Sequence, residues 1–243
     1  MKKNIYCYSK KDFDAICNIN DWSDDNPPNE HEIALISICS TPDVIQEVIC
    51  EPDNHFFEQN RKNILNLNFD DIDGKEQDTG RGGKAYGITK DQALQIVKFI
   101  RDNIDEVQYF FIHCRAGQSR SQAVVRYILD TYSRIYELVT RPDNPPNTPN
   151  PFVLSRLKQA EKVILEETRL NFIDEGYTVE SFVSDIYGGN WAVIKIKEVG
   201  DEIYYWPNNG TTHIGTWVWG KDENIHEASD YEFWTEIKKF VKK

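Results

Sequence analysis

A cysteine and an arginine six residues apart are the residues whose types and spacing best suit chemistry in this chain. The apolar run 107–112 ends just before Cys114, and a polar loop leads through Arg120 into the apolar-periodic segment 123–129. A strand, a loop and a helix in this order let successive backbone N–H groups curl around an anion in front of a helix N-terminus. A thiol there is expected to ionise, and the arginine fork can bind the same anion at two points.

The elements that must position this loop are indicated along the rest of the chain. Residues 33–39 form a continuous apolar run of strand length, which is typical of a strand covered on both faces. Further strands are predicted at residues 4–8 and 64–69, and helices after Ser9, from the capping box at residues 89–92 and from Asn150 onward.

Residues 113–121 resemble the active-site signature of the cysteine-dependent protein tyrosine phosphatase superfamily, His-Cys-x5-Arg-Ser/Thr. The match is best to the dual-specificity and tensin-like branch, His-Cys-x-Ala-Gly-x-Ser-Arg-Ser, in which every fixed position is met. Cys-x5-Arg alone would be weak, and the flanking strand and helix make it specific. The resemblance covers about residues 1–170. It implies an α/β fold for a domain at residues 1–172, with a central, mostly parallel sheet flanked by helices.

The resemblance also implies a role for each residue of the loop. Cys114 would be the nucleophile, His113 would orient the loop and lower the thiol pKa, and Ser121 would stabilise the departing thiolate. Arg120 would hold the phosphate together with the backbone of the preceding residues, which are Arg115, Ala116, Gly117, Gln118 and Ser119. The alternative is a buried strand cysteine followed by an ordinary helix N-terminus.

A general acid is expected in the acidic segment after residues 64–69. Phosphate esters with poor leaving groups need a proton donor, and Phe69-Asp70-Asp71 resembles the Phe-x-Asp of tensin-like and prenylated relatives. That match assigns Asp71 as the general acid, with Asp70 and Asp73 as alternatives. If none of them is the acid, the segment is an ordinary acidic turn.

The glycine-rich segment 74–87 is predicted to be a mobile flap beside the site. Arg81 and Lys84 could contact the phosphate or the substrate chain there, or be solvated loop charges.

Cys39 is a candidate redox partner of the nucleophile. Tensin-like relatives end an early sheet strand with such a cysteine, and Ser37-Ile38-Cys39 stands at the matching place. A neighbouring thiol can trap an oxidised cysteine as a disulfide, and adjacent parallel strands would bring Cys39 and Cys114 to one edge of the sheet. The alternative is a buried, apolar strand cysteine.

The character of the chain changes near residue 173, after which five of the six tryptophans occur. Strands are predicted at residues 191–196, 202–206 and 214–219, and a helix after Ser229. Residues 173–243 are therefore predicted to be a small antiparallel β domain with one helix, whose role and partner the sequence does not indicate. Its aromatic residues suit a core, with a ligand platform as the alternative.

Composition limits the classes of partner and cofactor. A net charge of −12 disfavours nucleic acid and anionic membranes, and no apolar run of about 18 residues is present. Five cysteines without paired or zinc-ligand spacing predict neither a disulfide framework nor a metal site, and suit a reducing cytoplasm. We therefore expect no cofactor.

The function predicted from these features is a cytoplasmic phosphoprotein phosphatase that works through a phosphocysteine intermediate. Phosphotyrosine is the first candidate substrate, followed by phosphoserine and phosphothreonine. Lipid-directed relatives tend to carry two lysines in the loop, whereas this loop has Arg115 and Gln118. The alternatives are a phosphate-binding interaction module without turnover and a phosphatase of a non-protein phosphomonoester.

Overall fold

The computed structural model describes residues 3–44, 53–80, 82–132, 136–139, 148–174, 178–184, 192–197, 202–206, 216–219 and 226–228. The chain divides into two compact units, Met1–Asp130 with Ile135–Leu157, and Thr131–Arg134 with Lys158–Lys243.

The first unit is an α/β fold built on a five-stranded sheet in which every neighbouring pair is parallel. The elements up to residue 174 are, in chain order, β1 (Lys3–Ser9), α1 (Lys10–Ile19), β2 (Ile33–Cys39), the single turn α2 (Pro42–Val44), β3 (Ile64–Asn68), β4 (Glu76–Asp78), β5 (Lys84–Tyr86), α3 (Lys90–Asn103), β6 (Tyr109–Cys114), α4 (Arg120–Tyr132), β7 (Tyr136–Leu138) and α5 (Pro151–Asp174). The end of α4 and the part of α5 from Lys158 onward belong to the second unit. The strand order in the sheet is β3-β2-β6-β1-β7. The predicted fold class is confirmed.

Local sequence signals explain where several elements begin. Ser9 caps α1 by accepting a hydrogen bond from the backbone N–H of Asp12, and Thr89 and Gln92 form the predicted capping box of α3. Every residue of β2 is buried, as its unbroken apolar run requires. In the sheet, β2 pairs with β6, which is the central strand.

The two faces of the sheet carry different residues at the end of β6. Tyr8, Leu35 and Phe13 belong to the apolar cluster on the face that α1 covers. His113 stacks on Phe13, so it lies on this face. Adjacent strand residues point to opposite faces, so Cys114 lies on the other one.

The segment predicted as a flap contains a short hairpin, in which β4 and β5 pair antiparallel with Gly80 and Gly82 in the turn at positive φ. Alternation over three residues was too short to indicate these strands. Strand β7 was likewise not predicted.

The second unit contains a five-stranded antiparallel sheet in the order β12-β11-β10-β9-β8. Its strands are β8 (Val179–Ser184), β9 (Ala192–Ile196), β10 (Glu202–Trp206), β11 (Thr216–Trp219) and β12 (His226–Ala228). Three of them correspond to the predicted strands, and the first and last were not predicted. The helix expected after Ser229 lies outside the described residues.

Helix α5 continues to Asp174, so the predicted domain boundary at residues 172 and 173 falls in its last turn. The two compact units instead divide between Leu157 and Lys158. The assignment of two domains remains a prediction.

Among the described helices, none has the combination of length and apolar character that crossing a membrane would require. The described cysteines Cys7, Cys17, Cys39 and Cys114 all carry free thiols.

Candidate functional site

A cleft of about 530 Å³ opens at the carboxyl end of β6. Its lining combines residues from five parts of the first unit: the end of β2, the turn α2, the acidic segment after β3, the β4–β5 hairpin and the loop between β6 and α4. The lining residues that matter for chemistry are Ser40, Asp71, Asp78, Cys114, Arg115, Gln118, Ser119 and Arg120. The fold therefore brings the predicted nucleophile, arginine and acid to one cavity.

Cys114 is the last residue of β6 and is 2% exposed. Burial alone would raise the pKa of its thiol. The charge of Arg120 opposes this effect, as do the Ser121 hydroxyl and the backbone N–H groups of Ser121 and Ser119, and the pKa of Cys114 lies below its ordinary value. The Ser121 Oγ atom is 3.1 Å from the sulfur. The thiol is thus held ready to act as an anion.

Arg120 begins α4 and is almost fully buried. Its Nη1 donates to the backbone carbonyl of Phe69 at 2.6 Å and lies 3.5 Å from the Ser40 hydroxyl. Its buried Nε has no hydrogen-bond partner. Because a buried guanidinium N–H without a partner is costly, Nε is suited to an oxyanion in the cleft.

The loop around Cys114 is shaped by Gly117, which has φ of +69°. A Cβ atom at this position would come within 2.6 Å of the backbone of Tyr8, so no other residue fits without a shift of β1. The Gly117 carbonyl accepts from Gln122 Nε2 at 3.2 Å, and the Arg115 carbonyl accepts from the Lys10 backbone N–H at 3.1 Å. These two carbonyls accept hydrogen bonds from residues outside the loop, while the Ser119 and Ser121 backbone N–H groups donate to the Cys114 sulfur.

Asp71 is exposed and lies at the mouth of the cleft. Its Oδ1 accepts from the Ser119 hydroxyl at 2.7 Å and from Asn150 Nδ2 at 2.8 Å. Its Oδ2 has no hydrogen-bond partner among the described residues, and it is the oxygen that could exchange a proton with a bound ligand.

Asn150 is a site residue that the sequence did not reveal. It is buried, its backbone N–H donates to the Ser119 carbonyl at 3.2 Å, and its Oδ1 accepts from the Val153 N–H at the start of α5. Through its backbone and its side chain together, this one residue joins Asp71, the loop between β6 and α4 (residues 115–119, here called the anion loop) and α5. The only signal was a good helix cap before Pro151, which indicates a helix start and no contact with a distant carboxylate.

The carboxylate of Asp70, one of the alternatives for the acid, already accepts hydrogen bonds within the fold. Asp70 is 3% exposed, and its carboxylate accepts from the Thr41 N–H, the Thr41 hydroxyl and the Tyr86 N–H at 2.9, 2.6 and 2.7 Å. Asp73 is exposed and does not line the cleft. The geometry favours Asp71, as the sequence match does.

His113 is not positioned to lower the pKa of the Cys114 thiol by carrying a positive charge. It is fully buried, and this burial, with the nearby positive charge of Lys10, lowers its pKa to about 3. The imidazole is therefore neutral near pH 7 and cannot lower the pKa of Cys114 by a positive charge. Stacking on Phe13, with ring centroids 4.2 Å apart, leaves it the role of fixing the end of β6.

The register of β2 and β6 does not favour the predicted redox pairing of Cys39 with Cys114, which remains a prediction. Ile38, and not Cys39, is the register partner of Cys114, so Cys39 points to the opposite face of the sheet. There its Sγ lies 3.4 Å from Nδ1 of His55, which also meets the Ser37 hydroxyl at 2.6 Å. The sequence placed both cysteines at one edge correctly, but the one-residue offset in register separates their side chains.

Of the two basic residues predicted to contact the substrate from the flap, only Lys84 is among the described residues. Lys84 pairs with Glu76 across the hairpin and does not line the cleft. Arg81 lies outside the described residues. The hairpin instead contributes Gln77, Asp78 and Thr79 to the cleft wall.

Within the described ranges, no group of three or more His, Cys, Asp and Glu side chains is arranged to hold a metal ion. The cleft itself combines a thiol with a lowered pKa, a buried guanidinium, backbone N–H groups directed at the thiol and an exposed carboxylate.

A comparison of the sequence with protein-family models found no match, and comparisons with curated proteins and with solved structures found none either.

Proposed function

We propose that this protein is a cysteine-dependent phosphatase that hydrolyses phosphorylated proteins, phosphotyrosine first, through a phosphocysteine intermediate. The observation that carries the proposal is the pairing of a buried thiol of lowered pKa with a buried arginine whose Nε has no partner. The resemblance of residues 113–121 to the cysteine-phosphatase signature supports the same reaction.

In the first step, the Cys114 thiolate attacks phosphorus, so that an S–P bond forms as the bond to the leaving oxygen breaks. Arg120 Nε and the loop N–H groups bind the equatorial oxygens, where the charge of the transition state is spread. Asp71 gives its proton from Oδ2 to the leaving oxygen.

In the second step, water attacks the phosphocysteine and the S–P bond breaks. Asp71 takes a proton from the water, and the Ser121 hydroxyl, 3.1 Å from the sulfur, stabilises the thiolate that leaves. Phosphate and the starting enzyme result. The charge of the transferred group is met by Arg120 and the backbone, so this scheme needs no cofactor.

A protein substrate is favoured over a lipid by the charges around the cleft. Gln118 stands where lipid-directed relatives tend to have a second lysine, and Asp71 and Asp78 line the same cavity. Anionic headgroups would meet both carboxylates. The free thiols of the described cysteines are compatible with a reducing cytoplasm, which we include in the proposal.

The proposal is tested by turnover of a small aryl phosphate by the wild type and by Cys114→Ser. We expect hydrolysis by the wild type, and complete loss in Cys114→Ser with binding of a phosphotyrosine peptide retained, because the anion loop and Arg120 remain. Binding by the wild type without turnover would favour the interaction module, and activity in Cys114→Ser would exclude the phosphocysteine.

A further inference from the structure

A second cysteine lies beside the nucleophile, on the neighbouring strand β1. Strand β1 pairs in parallel with β6, and Ser9 is the register partner of Cys114. Because side chains two positions apart on a strand share a face, Cys7 lies on the same face of the sheet as Cys114. Cys7 is 5% exposed. The two sulfur atoms are therefore buried together on one side of the sheet.

Both sulfur atoms contact the same hydroxyl group. The Ser121 Oγ atom lies 3.1 Å from the Cys114 sulfur and 3.2 Å from the Cys7 sulfur. Ser121 is fully buried, so solvent does not compete for its hydroxyl. This hydroxyl therefore bridges a cysteine of β1 and the cysteine at the end of β6.

The ionisation of the two thiols fixes the direction of these hydrogen bonds. The pKa of Cys114 is lowered, and its thiolate can only accept. Burial raises the pKa of Cys7 to about 12, and the nearby Cys114 adds to this effect, so Cys7 is a thiol near pH 7 and can donate. A serine hydroxyl has one hydrogen and two acceptor lone pairs. The Ser121 hydrogen then points to the Cys114 sulfur, and a lone pair accepts the Cys7 S–H.

Another acceptor within reach of the Cys7 thiol is less available than the hydroxyl. The Gly117 carbonyl oxygen lies 3.5 Å from the Cys7 sulfur, and it already accepts from Gln122 Nε2 at 3.2 Å. Hydrogen bonds in a chain polarise one another, so a donor behind a hydroxyl strengthens the bond that this hydroxyl donates. The Cys114 thiolate is thus stabilised by a group that touches it and by a second group that acts through the first.

We propose that Cys7 is a positioning residue for the nucleophile, whose S–H group orients the Ser121 hydroxyl toward the Cys114 sulfur. The catalytic part of this role rests on the proposed function, because the same hydroxyl stabilises the thiolate that leaves the phosphocysteine. The effect on the Cys114 thiol itself needs no turnover. Cys7 lies outside the motif at residues 113–121, so the role extends the groups that prepare the nucleophile to strand β1.

The test is the pH dependence of Cys114 alkylation by iodoacetamide, measured by peptide mapping so that only the Cys114 peptide is counted. Cys7→Ala is expected to lower the acid dissociation constant of Cys114 about threefold, which is the size of a weak S–H hydrogen bond. Cys7→Ser keeps a donor and is expected to stay close to the wild-type profile. The charged groups that line the cleft, among them Arg120 and Asp71, are the same in every variant.

Two comparisons separate the donor from simple packing. Alanine and serine both remove the sulfur atom, so equal shifts in Cys7→Ala and Cys7→Ser would assign the effect to packing and overturn the proposal. Cys17→Ala is the matched control, since Cys17 is also fully buried with a pKa raised to about 12, but it lies on α1 in the apolar cluster. It is expected to leave the profile unchanged. A shift as large as that of Cys7→Ala would also overturn the proposal.

A double-mutant cycle tests whether Cys7 acts through the hydroxyl. If it does, adding Cys7→Ala to Ser121→Ala is expected to produce no further shift of the alkylation profile, because the group that Cys7 orients is already missing. A full second shift would show that Cys7 acts on the thiol independently of Ser121 and would contradict the proposal.

Alkylation and turnover of the aryl phosphate, measured on the same proteins, let the two proposals fail separately. If the wild type hydrolyses no phosphate ester but the Cys7→Ala shift is present and depends on Ser121, the phosphatase is refuted and the positioning role stands. If the wild type is an active phosphatase and Cys7→Ala keeps the wild-type alkylation profile, the phosphatase stands and the role of Cys7 is overturned.

Discussion

The carboxyl ends of β6 and β2 are neighbours in the sheet, and each strand ends in a buried cysteine, yet the two thiols differ sharply in acidity. Burial acts on both in the same direction. At the end of β2 it raises the pKa of Cys39 to about 12, and the Asp53 carboxylate adds to the effect. At the end of β6 burial is outweighed by Arg120 and by hydrogen bonds from α4 and its loop, so the pKa of Cys114 is lowered.

This difference shows that a strand end in this fold does not by itself produce a nucleophile. The residues that follow the strand decide the outcome: after Cys114 they supply inward N–H groups and a guanidinium. Beside Cys39 lies His55, whose pKa is lowered by burial and which is therefore neutral near pH 7. Substitutions at either strand end, or at the carboxylates beside the cleft, test this comparison.

The largest effect is expected from Arg120→Met, which makes the end of β6 resemble the end of β2. Without the guanidinium, burial dominates, so the pKa of Cys114 is expected to rise above its ordinary value and aryl phosphate turnover to fall about 10³-fold or more. The pKa is measured from the pH dependence of alkylation by iodoacetamide. Arg120→Lys is the control: it keeps the charge and a low pKa but loses the planar fork, and its turnover is expected to fall strongly too. A wild-type alkylation profile in Arg120→Met would contradict this account.

Asp71→Asn is expected to slow hydrolysis of a phosphopeptide about 10²–10⁴-fold and to slow an aryl ester with a good leaving group much less. The reason is that only the poor leaving group needs a proton. Asp70→Asn is the matched comparison, since Asp70 accepts three hydrogen bonds inside the fold. It is expected to lower the free energy of unfolding by about 3 kcal/mol, without dependence on the leaving group. Kinetics with both substrates and urea unfolding distinguish the two, and the reverse pattern would show that Asp70 is the acid.

Ser121→Ala is expected to have a smaller effect, because it removes one of several groups that stabilise the thiolate. We expect the alkylation profile to shift toward higher pH, and turnover of the aryl ester to fall about tenfold. A pre-steady-state burst should become larger, since departure of the thiolate would be slowed more than its attack. An unchanged profile would mean that Arg120 and the N–H groups suffice.

The smallest effect is expected from Cys39→Ser. Because Cys39 and Cys114 lie on opposite faces, loss of Cys39 should leave both turnover and the irreversible part of inactivation by peroxide unchanged. Peptide mapping under non-reducing conditions is the direct measurement. A peptide that joins Cys39 to Cys114, with activity restored by a dithiol, would restore the redox pairing indicated by the sequence and require the end of β2 to rearrange.

The parts that the sequence predicted correctly depend on local patterns. The apolar run at 33–39, the capping box of Thr89 and Gln92 and the strand–loop–helix order around Cys114 are all properties of short segments. The contact of Asn150 with Asp71 spans 79 positions and could not be read from either residue alone. The face on which Cys39 lies could not be predicted either, because a one-residue change in register moves every side chain of a strand to the other face.

The packing of Gly117 against the backbone of Tyr8 ties the anion loop to the folding of the whole sheet. Cys7 and Gly117 contact each other although they are 110 positions apart, so this contact forms only when β1 has joined β6. Long-range parallel pairings of this kind form slowly, because closing a long stretch of chain costs entropy before the contacts stabilise it. An anion that needs the finished loop binds only the native protein, and a concentration of 100 times its Kd would stabilise the fold by about 2.7 kcal/mol. Phosphate in the refolding buffer would then protect the native chain against unfolding, whether or not it is the product of a reaction.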